Sequence, residues 1–224
     1  MPFTPKIRLI LNCTALMLII AALGYRITGD AAHEYIGFSA CIALFLHNLA
    51  NLRWYCSIFK GRYNIRRFTR AALNISLACA GIALLCAAAV SSRSLFNLGF
   101  DGGILARQIH ATAAYWLFAL AALHMGIHLP KRIFCPSTPT AKFLLSIIII
   151  AIYALGIYAW EERSMGEKLF SGYTFDFWND SVPAIYFFAY NLSIFLCLAI
   201  SAAIADKSFN KILNNSAKNH NDKP

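Results

Sequence analysis

Long apolar runs separated by short polar segments make up most of this chain. A helix that crosses a membrane needs about 20 consecutive, mostly apolar residues, and six stretches of about that length occur. The pattern therefore predicts an all-α, polytopic membrane protein built as a six-helix transmembrane bundle. The predicted spans cover residues 7–25, 32–59, 71–91, 108–133, 143–160 and 182–205 within one transmembrane domain, 1–205. The polar tail at 206–224, rich in Asn and Lys, is expected to be a disordered cytoplasmic segment.

Composition favours the membrane class and removes several others. Of the 224 residues, 59% are hydrophobic and 13% are charged, whereas soluble domains carry about a quarter charged residues. A single soluble domain and a disordered chain are therefore excluded. The seven cysteines lie mostly inside apolar runs and form no CxxC pair. This placement argues against a disulfide framework, a zinc site of ordinary spacing and covalently attached haem.

Positive charge is distributed unevenly between the two ends of the predicted spans. The net charge is +10, and most basic residues fall in the N-terminal segment, in the loops after spans two and four, and in the tail. Loops rich in Lys and Arg stay in the cytoplasm, so both termini are expected there. The same rule explains the charge without nucleic acid, which is not expected as a partner. The basic residues assigned to the cytoplasmic side are Lys6, Arg8, Arg53, Lys60, Arg62, Arg66, Arg67, Arg70, Lys131, Arg132, Lys142, Lys207, Lys211, Lys218 and Lys223.

Five of the six histidines lie within two of the predicted spans. Span two contains His33 and His47, and span four contains His110, His124 and His128. Ionisable residues at membrane depth are costly and usually functional. His33 and His47 are 14 residues apart, as are His110 and His124. Each pair therefore lies on nearly one helix face, with its members about 21 Å apart along the axis.

Spans two and four run in the same direction, because one span separates them. If their histidine faces are opposed, His33 meets His110 near the outer side, and His47 meets His124 near the cytoplasmic side. Two imidazoles from facing helices can ligate the iron of a b-type haem, so the spacing predicts two bis-histidine haems b within a four-helix core. Histidines that only form interhelical hydrogen bonds are one alternative. Histidines that bind ions in a transporter are another, although a transporter is expected to add intramembrane Asp or Glu.

Three further residues are candidates for the cofactor sites. His128 lies one turn beyond His124 and could replace it as the inner ligand, or bond a haem propionate or a quinone carbonyl. Equal spacing favours His124. Arg53 and Arg107 lie near the two predicted membrane surfaces, and either could neutralise haem propionates. Snorkelling of these arginines to the lipid head groups is an equally good interpretation.

Two segments carry recognisable motifs. One contains HEYIG at 33–37, LHNL at 46–49 and NLRW at 51–54, and the other contains His110 and LHMGIH at 123–128. Together they resemble the flavinylation-associated cytochrome family, a group of small bacterial membrane proteins, over spans one to four. The resemblance implies a haem b protein of the bacterial inner (cytoplasmic) membrane that moves electrons to flavinylated extracytoplasmic proteins. It also implies that the iron ligands are His33, His47, His110 and either His124 or His128.

The function expected from the sequence is transmembrane electron transfer. Electrons would pass between a quinol or a cytoplasmic-side donor and an extracytoplasmic flavoprotein or cytochrome, in an architecture similar to cytochrome b. The chain contains no Gly-rich phosphate loop, so any flavin must belong to a partner and the chain is expected to be a non-catalytic subunit. A haem-free transporter or assembly factor is the alternative. The aromatic and acidic segment 161–181 is expected either to cap the outer haem and dock a redox partner, or to lie on the bilayer.

Overall fold

The structure, a computed structural model, is predominantly helical over the residues that it describes. It describes residues 4–61, 63–95, 102–129, 136–170, 179 and 181–221, with side chains up to residue 209. Within those residues no strand occurs. The helices are α1 (Pro5–Ala22), α2 (Tyr25–Thr28), α3 (Asp30–Ala50), α4 (Leu52–Ser57), α5 (Ile65–Ser91), α6 (Gly103–His128), α7 (Pro139–Glu162), α8 (Met165–Leu169) and α9 (Ala184–Asn221).

In the described part of the chain, five helices are long and apolar enough to cross a membrane: α1, α5, α6, α7 and the Ala184–Phe209 part of α9. Many of their large apolar side chains are exposed, including Leu9, Ile82 and Phe143, whereas a soluble monomer rarely exposes large apolar patches. The chain is therefore an all-helical, multi-pass membrane protein. α3 has 21 residues, but polar residues such as Glu34 and Asn48 reduce its apolar character. The second predicted span, 32–59, is therefore not matched by any of these five helices.

The predicted span at 32–59 contains two helices and not one. α3 ends and α4 begins on either side of Asn51, whose φ and ψ are −116° and 19°. The Asn51 side-chain amide donates to the His47 carbonyl at 2.7 Å, while its backbone N–H turns to the Asn48 carbonyl at 3.0 Å. A side-chain amide that competes for main-chain carbonyls interrupts a helix. The sequence pattern missed this break because the residues on both sides remain apolar.

The tail at 206–224, which is expected to be disordered, is helical over its described part. α9 continues through that region as a helix and ends only at Asn221. The segment from Ala184 to Asn221 contains neither Gly nor Pro, the two residues that disfavour a helix interior most strongly. A polar composition favours disorder, but it is equally compatible with a helix that extends beyond the membrane.

A cluster of buried side chains surrounds α9, which packs on both α6 and α7. Phe118 of α6 and Ile194 of α9 are almost fully buried there. A β-carbon added at Gly126 would lie 2.2 Å from the Ala199 carbonyl oxygen of α9, so only glycine permits this approach of α6 and α9. Small residues that bring backbones together are typical of helix packing in membranes. This packing holds α6, which carries three of the histidines, in a fixed position.

The segment that follows α7 folds onto the bundle. Met165 and Leu169 of α8 are buried, and the Trp116 indole N–H donates to the Leu169 carbonyl at 2.8 Å. The Arg163 guanidinium is buried and lies 4.5 Å from the centroid of the Phe187 ring. The described first part of the segment 161–181 therefore packs against the helix bundle. Residues 171–178 and 180 lie outside the described residues.

Candidate cofactor-binding site

Five histidines lie on α3 and α6, and the structure brings four of them together in two pairs. His33 lies beside His110, with ring centroids 5.8 Å apart and ring planes at 68°. Fourteen residues further along each helix, His47 lies beside His124, with centroids 6.3 Å apart and planes at 79°. As expected, the histidines of α3 and α6 therefore lie beside each other at two levels.

The separation within each pair can be compared with the separation that one shared metal ion requires. Bonds of about 2.0–2.1 Å from opposite sides of one ion to two imidazole nitrogens put the ring centroids roughly 6 Å apart. Both observed separations, 5.8 Å and 6.3 Å, lie near this value. All four rings are only partly buried, so they are not enclosed by the protein alone. Each pair fits the ligation of a single iron between two helices.

α3 and α6 approach each other through these rings and not through close backbone packing. α3 packs mainly on α1, whereas α6 packs on α5 and α9; over the described residues, α3 and α6 are not one of the closely packed helix pairs. Gly37, one turn after His33, has no neighbouring atom within 4 Å of the position that a β-carbon would occupy. A planar cofactor held edge-on between two helices needs such an opening. The helix arrangement therefore leaves space beside Gly37, on the histidine side of α3.

Hydrogen bonds orient both histidines of the inner pair. Nδ1 of His47 is 2.8 Å from Oδ1 of Asn12 in α1, and Nδ1 of His124 is 2.8 Å from Oδ1 of Asn74 in α5. An amide oxygen only accepts, so each Nδ1 carries the hydrogen and each Nε2 keeps its lone pair. This is the tautomer that binds a metal through Nε2, and metal-ligating histidines usually donate their other N–H to an acceptor. The Asn51 amide nitrogen reaches only 3.5 Å from Nε2 of His47.

Sequence reasoning did not identify Asn12 and Asn74. A signal for them was present, because each is an isolated amide within an apolar run. A polar side chain inside a membrane helix is unfavourable unless it finds a partner on a neighbouring helix. The partner could not be named from spacing, since it depends on how α1 and α5 are placed around α3 and α6.

The outer pair has a different environment. Nδ1 of His33 and Nδ1 of His110 are buried and have no hydrogen-bond partner among the described residues. The main-chain carbonyls of Ala22 and Leu84 lie beside the two rings without forming hydrogen bonds of good geometry. The Tyr25 ring packs edge-on against His33, with centroids 5.3 Å apart. The carbonyls are therefore the available acceptors if either ring is turned slightly about its side-chain bonds.

Tyr25 belongs to α2, outside the membrane-spanning helices, and connects the outer pair to charged groups. Its hydroxyl donates to the Asp30 carboxylate, and this bond, together with burial, raises the pKa of Tyr25 above its ordinary value. Arg93 and Arg107 are close enough to oppose that rise by electrostatic attraction. Arg107 therefore lies at the outer end of the site, where the sequence predicts a cation near haem propionates.

Glu34, next to His33, ties the start of α3 to the segment that follows α5. Its carboxylate accepts hydrogen bonds from the backbone N–H groups of residues 93–95 and from the Ser92 hydroxyl, at 2.8–3.2 Å. Hydrogen bonds to a charged group are stronger than those between neutral groups. Because α5 packs on α6, this contact helps to fix His33 relative to the helix that carries its partner.

His128 lies at the end of α6, beyond the inner pair. Its ring centroid is 4.8 Å from that of His124, and it lines a cavity of about 550 Å³. The ring of His47 contacts that of His124, and His128 also lies within electrostatic range of His47. Arg53 is exposed on α4 and does not line this cavity, whereas Arg8 of α1 is close enough to act electrostatically on His47. The described contacts therefore give no support to Arg53 as the inner propionate partner.

The described residues contain no group of three or more His, Cys, Asp or Glu side chains arranged to hold a metal ion. The site consists instead of two imidazole pairs on one pair of helices, in a multi-pass helical membrane protein. Comparison of the chain with protein-family models, with curated proteins and with solved structures finds no match. The function must therefore be argued from the residues and their geometry.

Proposed function

We propose that this protein carries electrons across the membrane through two b-type haems, each ligated by one histidine pair. The observation that carries the proposal is the repeated pairing of His33 with His110 and of His47 with His124, at 5.8 Å and 6.3 Å between ring centroids. Among the described residues no hydrogen bond joins the two rings of either pair. Histidines that served only to join α3 to α6 would be expected to bond each other, whereas those of the inner pair bond Asn12 of α1 and Asn74 of α5.

The environment of α3 supports the same reading. Its histidines lie on one face, while Tyr35, Phe38 and Phe45 are exposed on the opposite face. In this proposal α3 is the sixth spanning helix, with an apolar face toward lipid and a histidine face toward the cofactors. His33 and His47 then account for part of its lower apolar content, and Glu34 and Asn48 account for the rest.

Each part of the site has a defined role in this proposal. The four paired histidines supply neutral imidazoles, Asn12 and Asn74 accept the Nδ1 hydrogens of the inner pair, and Arg107 offers positive charge at the outer end. A b-type haem held by two imidazoles gains and loses single electrons and leaves no iron position open to substrate. The two levels are about 21 Å apart along the helices, which brings one level toward each membrane surface.

The surroundings of the protein are part of the proposal. The distribution of basic residues places both termini in the cytoplasm, and the family resemblance favours the bacterial inner membrane. The donor would be a quinol or a cytoplasmic-side reductant, and the acceptor an extracytoplasmic flavoprotein or cytochrome. The chain would then act as an electron-transfer subunit, with catalysis performed by its partners.

The first test is the haem content of the full chain, purified in detergent from cells supplied with haem. We expect a reduced-minus-oxidised spectrum of b type and a pyridine haemochrome content of two haems per chain. A content of one would remove one of the two pairs from the proposal. Absence of haem would refute the electron-transfer function and leave a haem-free transporter or assembly factor as the better account.

A second test assigns the inner ligand. His124→Ala is expected to remove the inner haem while the outer pair keeps its spectrum, and His47→Ala should do the same. His128→Ala is the matched control, since it removes an imidazole one turn away on the same helix, and it should retain both haems. If His128→Ala removes a haem and His124→Ala does not, the assignment of the inner ligand is reversed.

A further inference from the structure

A basic cavity opens at the end of the bundle where α4 and α5 approach the end of α6. Its volume is about 550 Å³, and it is lined by Lys60, Arg66, Arg67 and Arg70, together with Trp54 and Tyr63. It reaches the neighbourhood of the inner histidine pair through Asn74 and His128. The proposed electron transfer does not require the cations of this cavity.

The charges in the cavity are not balanced. Asp206 of α9 lies 3.2 Å from Arg66 and 3.3 Å from Arg70, so one carboxylate serves two guanidinium groups. The Nε atoms of these two arginines are buried and have no hydrogen-bond partner in the described part of the chain. Lys60 and Arg67 add two further positive charges. Among the described residues the cavity therefore has excess positive charge, which an anion would balance.

Arg67 is held in place on the cavity wall. Its guanidinium donates to the Ser57 carbonyl at 2.6 Å and lies 4.4 Å from the centroid of the Tyr63 ring. The side chain of Asn64 begins α5 by accepting from the Arg67 backbone N–H at 2.9 Å. The cation is thus fixed before any ligand binds, which reduces the entropy that binding would cost.

The cations alternate with exposed apolar side chains. Phe59, Ile65 and Phe68 are 95%, 54% and 61% exposed, and they are the sequence neighbours of cations that line the cavity. A free inorganic anion would gain nothing from these apolar groups. An amphiphile would place its charged head among the cations and its chains along the aromatic and aliphatic side chains. Trp54 and Tyr63 at the rim are residue types enriched where membrane meets water.

We propose that this cavity binds the phosphate head group of an anionic phospholipid, with the acyl chains lying over Phe59, Ile65 and Phe68. Basic pockets between membrane helices on the cytoplasmic side are suited to such head groups. The bound phosphate would bridge the cations of α5 to Lys60 in the α4–α5 connection. It would therefore hold together the two segments on either side of the inner histidine pair.

The proposal is tested with the full chain in detergent, by native mass spectrometry and by thermal unfolding with added lipid. Phosphatidylglycerol is expected to remain bound and to raise the unfolding temperature, while phosphatidylcholine and inorganic phosphate do neither. Lys60→Gln and Arg67→Gln should each weaken retention roughly fivefold, since each removes one charge near the membrane surface. Lys60→Arg, which keeps the positive charge, should retain the lipid like the unaltered chain. Lys142→Gln, which removes an exposed cation at the start of α7, is the matched control and should bind like the unaltered chain.

Three results would overturn the proposal. Equal loss in Lys142→Gln and Lys60→Gln would mean that general surface charge, not the cavity, attracts the lipid. An equal effect of inorganic phosphate would mean that the site takes free anions. Loss of haem in Arg67→Gln with unchanged lipid retention would assign the cavity to the carboxylates of a cofactor. Lys60 is exposed, so its substitution is not expected to prevent folding.

Discussion

Replacement of Asn74 by Leu is the most informative single perturbation of the proposed inner site. Asn74 does not ligate anything in the proposal, and its role is to accept the Nδ1 hydrogen of His124 at 2.8 Å. Leu has nearly the same volume but no acceptor. The substitution therefore leaves the ligand in place and removes only what fixes its tautomer and ring orientation.

Two independent estimates give the size of the effect. Loss of an outer hydrogen-bond partner of a metal-ligating histidine weakens metal binding by roughly 10- to 100-fold, which corresponds to about 1.4–2.8 kcal/mol. Leaving a buried N–H donor such as Nδ1 of His124 without an acceptor costs about 1–3 kcal/mol. Because both estimates describe the same lost bond, they are not added. We expect the inner haem to be bound 10- to 100-fold less tightly, by the same arithmetic, with the outer haem unchanged.

The assay is haem titration of the haem-free full chain, followed by absorbance, with a redox titration of the loaded protein. Asn74→Asp should lower the reduction potential of the inner haem, since a charged acceptor makes His124 a more basic ligand and favours ferric iron. Asn191→Leu is the matched control, because Asn191 is a fully buried amide that donates to the Phe187 carbonyl and not to a histidine. If Asn74→Leu binds both haems as tightly as the Asn191 control, the role given to Asn74 is refuted.

Three other outcomes are expected. Gly126→Ala should destabilise the bundle by about 1–3 kcal/mol through overpacking, whereas Gly37→Ala in the haem-free chain should stabilise it by about 0.5–1 kcal/mol. Unfolding in mixed micelles measures both changes in stability. Equal changes for the two substitutions would contradict the packing described for α6 and α9. Glu34→Gln should weaken the contact with residues 93–95 by about 1.5–3 kcal/mol, seen as faster hydrogen exchange there, while the exposed Glu161→Gln should change nothing. A fluorescent protein fused after the C-terminus should fluoresce and an alkaline phosphatase fused there should be inactive; the reverse pattern would invert the proposed orientation.

The parts of the fold that sequence reasoning could predict are those that depend on local periodicity. Long apolar runs predict helices, and the five described helices that are apolar enough to span a membrane follow from them directly. The pairing of His33 with His110 and of His47 with His124 was also predictable. It follows from a constant 14-residue spacing and two helices that run in the same direction, provided that their histidine faces are opposed.

The parts that sequence reasoning could not predict depend on contacts between segments distant in sequence. Asn12 and Asn74 become acceptors for histidines only when α1 and α5 are placed beside α3 and α6. The break at Asn51 depends on one side-chain bond to the His47 carbonyl, which apolar periodicity does not reveal. The same holds for Asp206, which lies near Arg66 only because α9 continues beyond its predicted end.

The low hydropathy of α3 bears on the role of this helix as well as on its position relative to the membrane. A hydropathy window sums all faces of a helix, so it treats a histidine that faces another helix as if it faced lipid. In α3 the residues exposed on the face away from α6 include Tyr35, Phe38 and Phe45, an apolar surface suited to lipid. The two histidines of α3, which are unfavourable in contact with lipid, lie on the face that meets His110 and His124. A helix of this kind is stable in a bilayer only when the polar groups on that face bind a neighbouring helix or a ligand between the helices. The histidine pairs are only half-buried, so in this proposal the cofactors complete the contacts of that face.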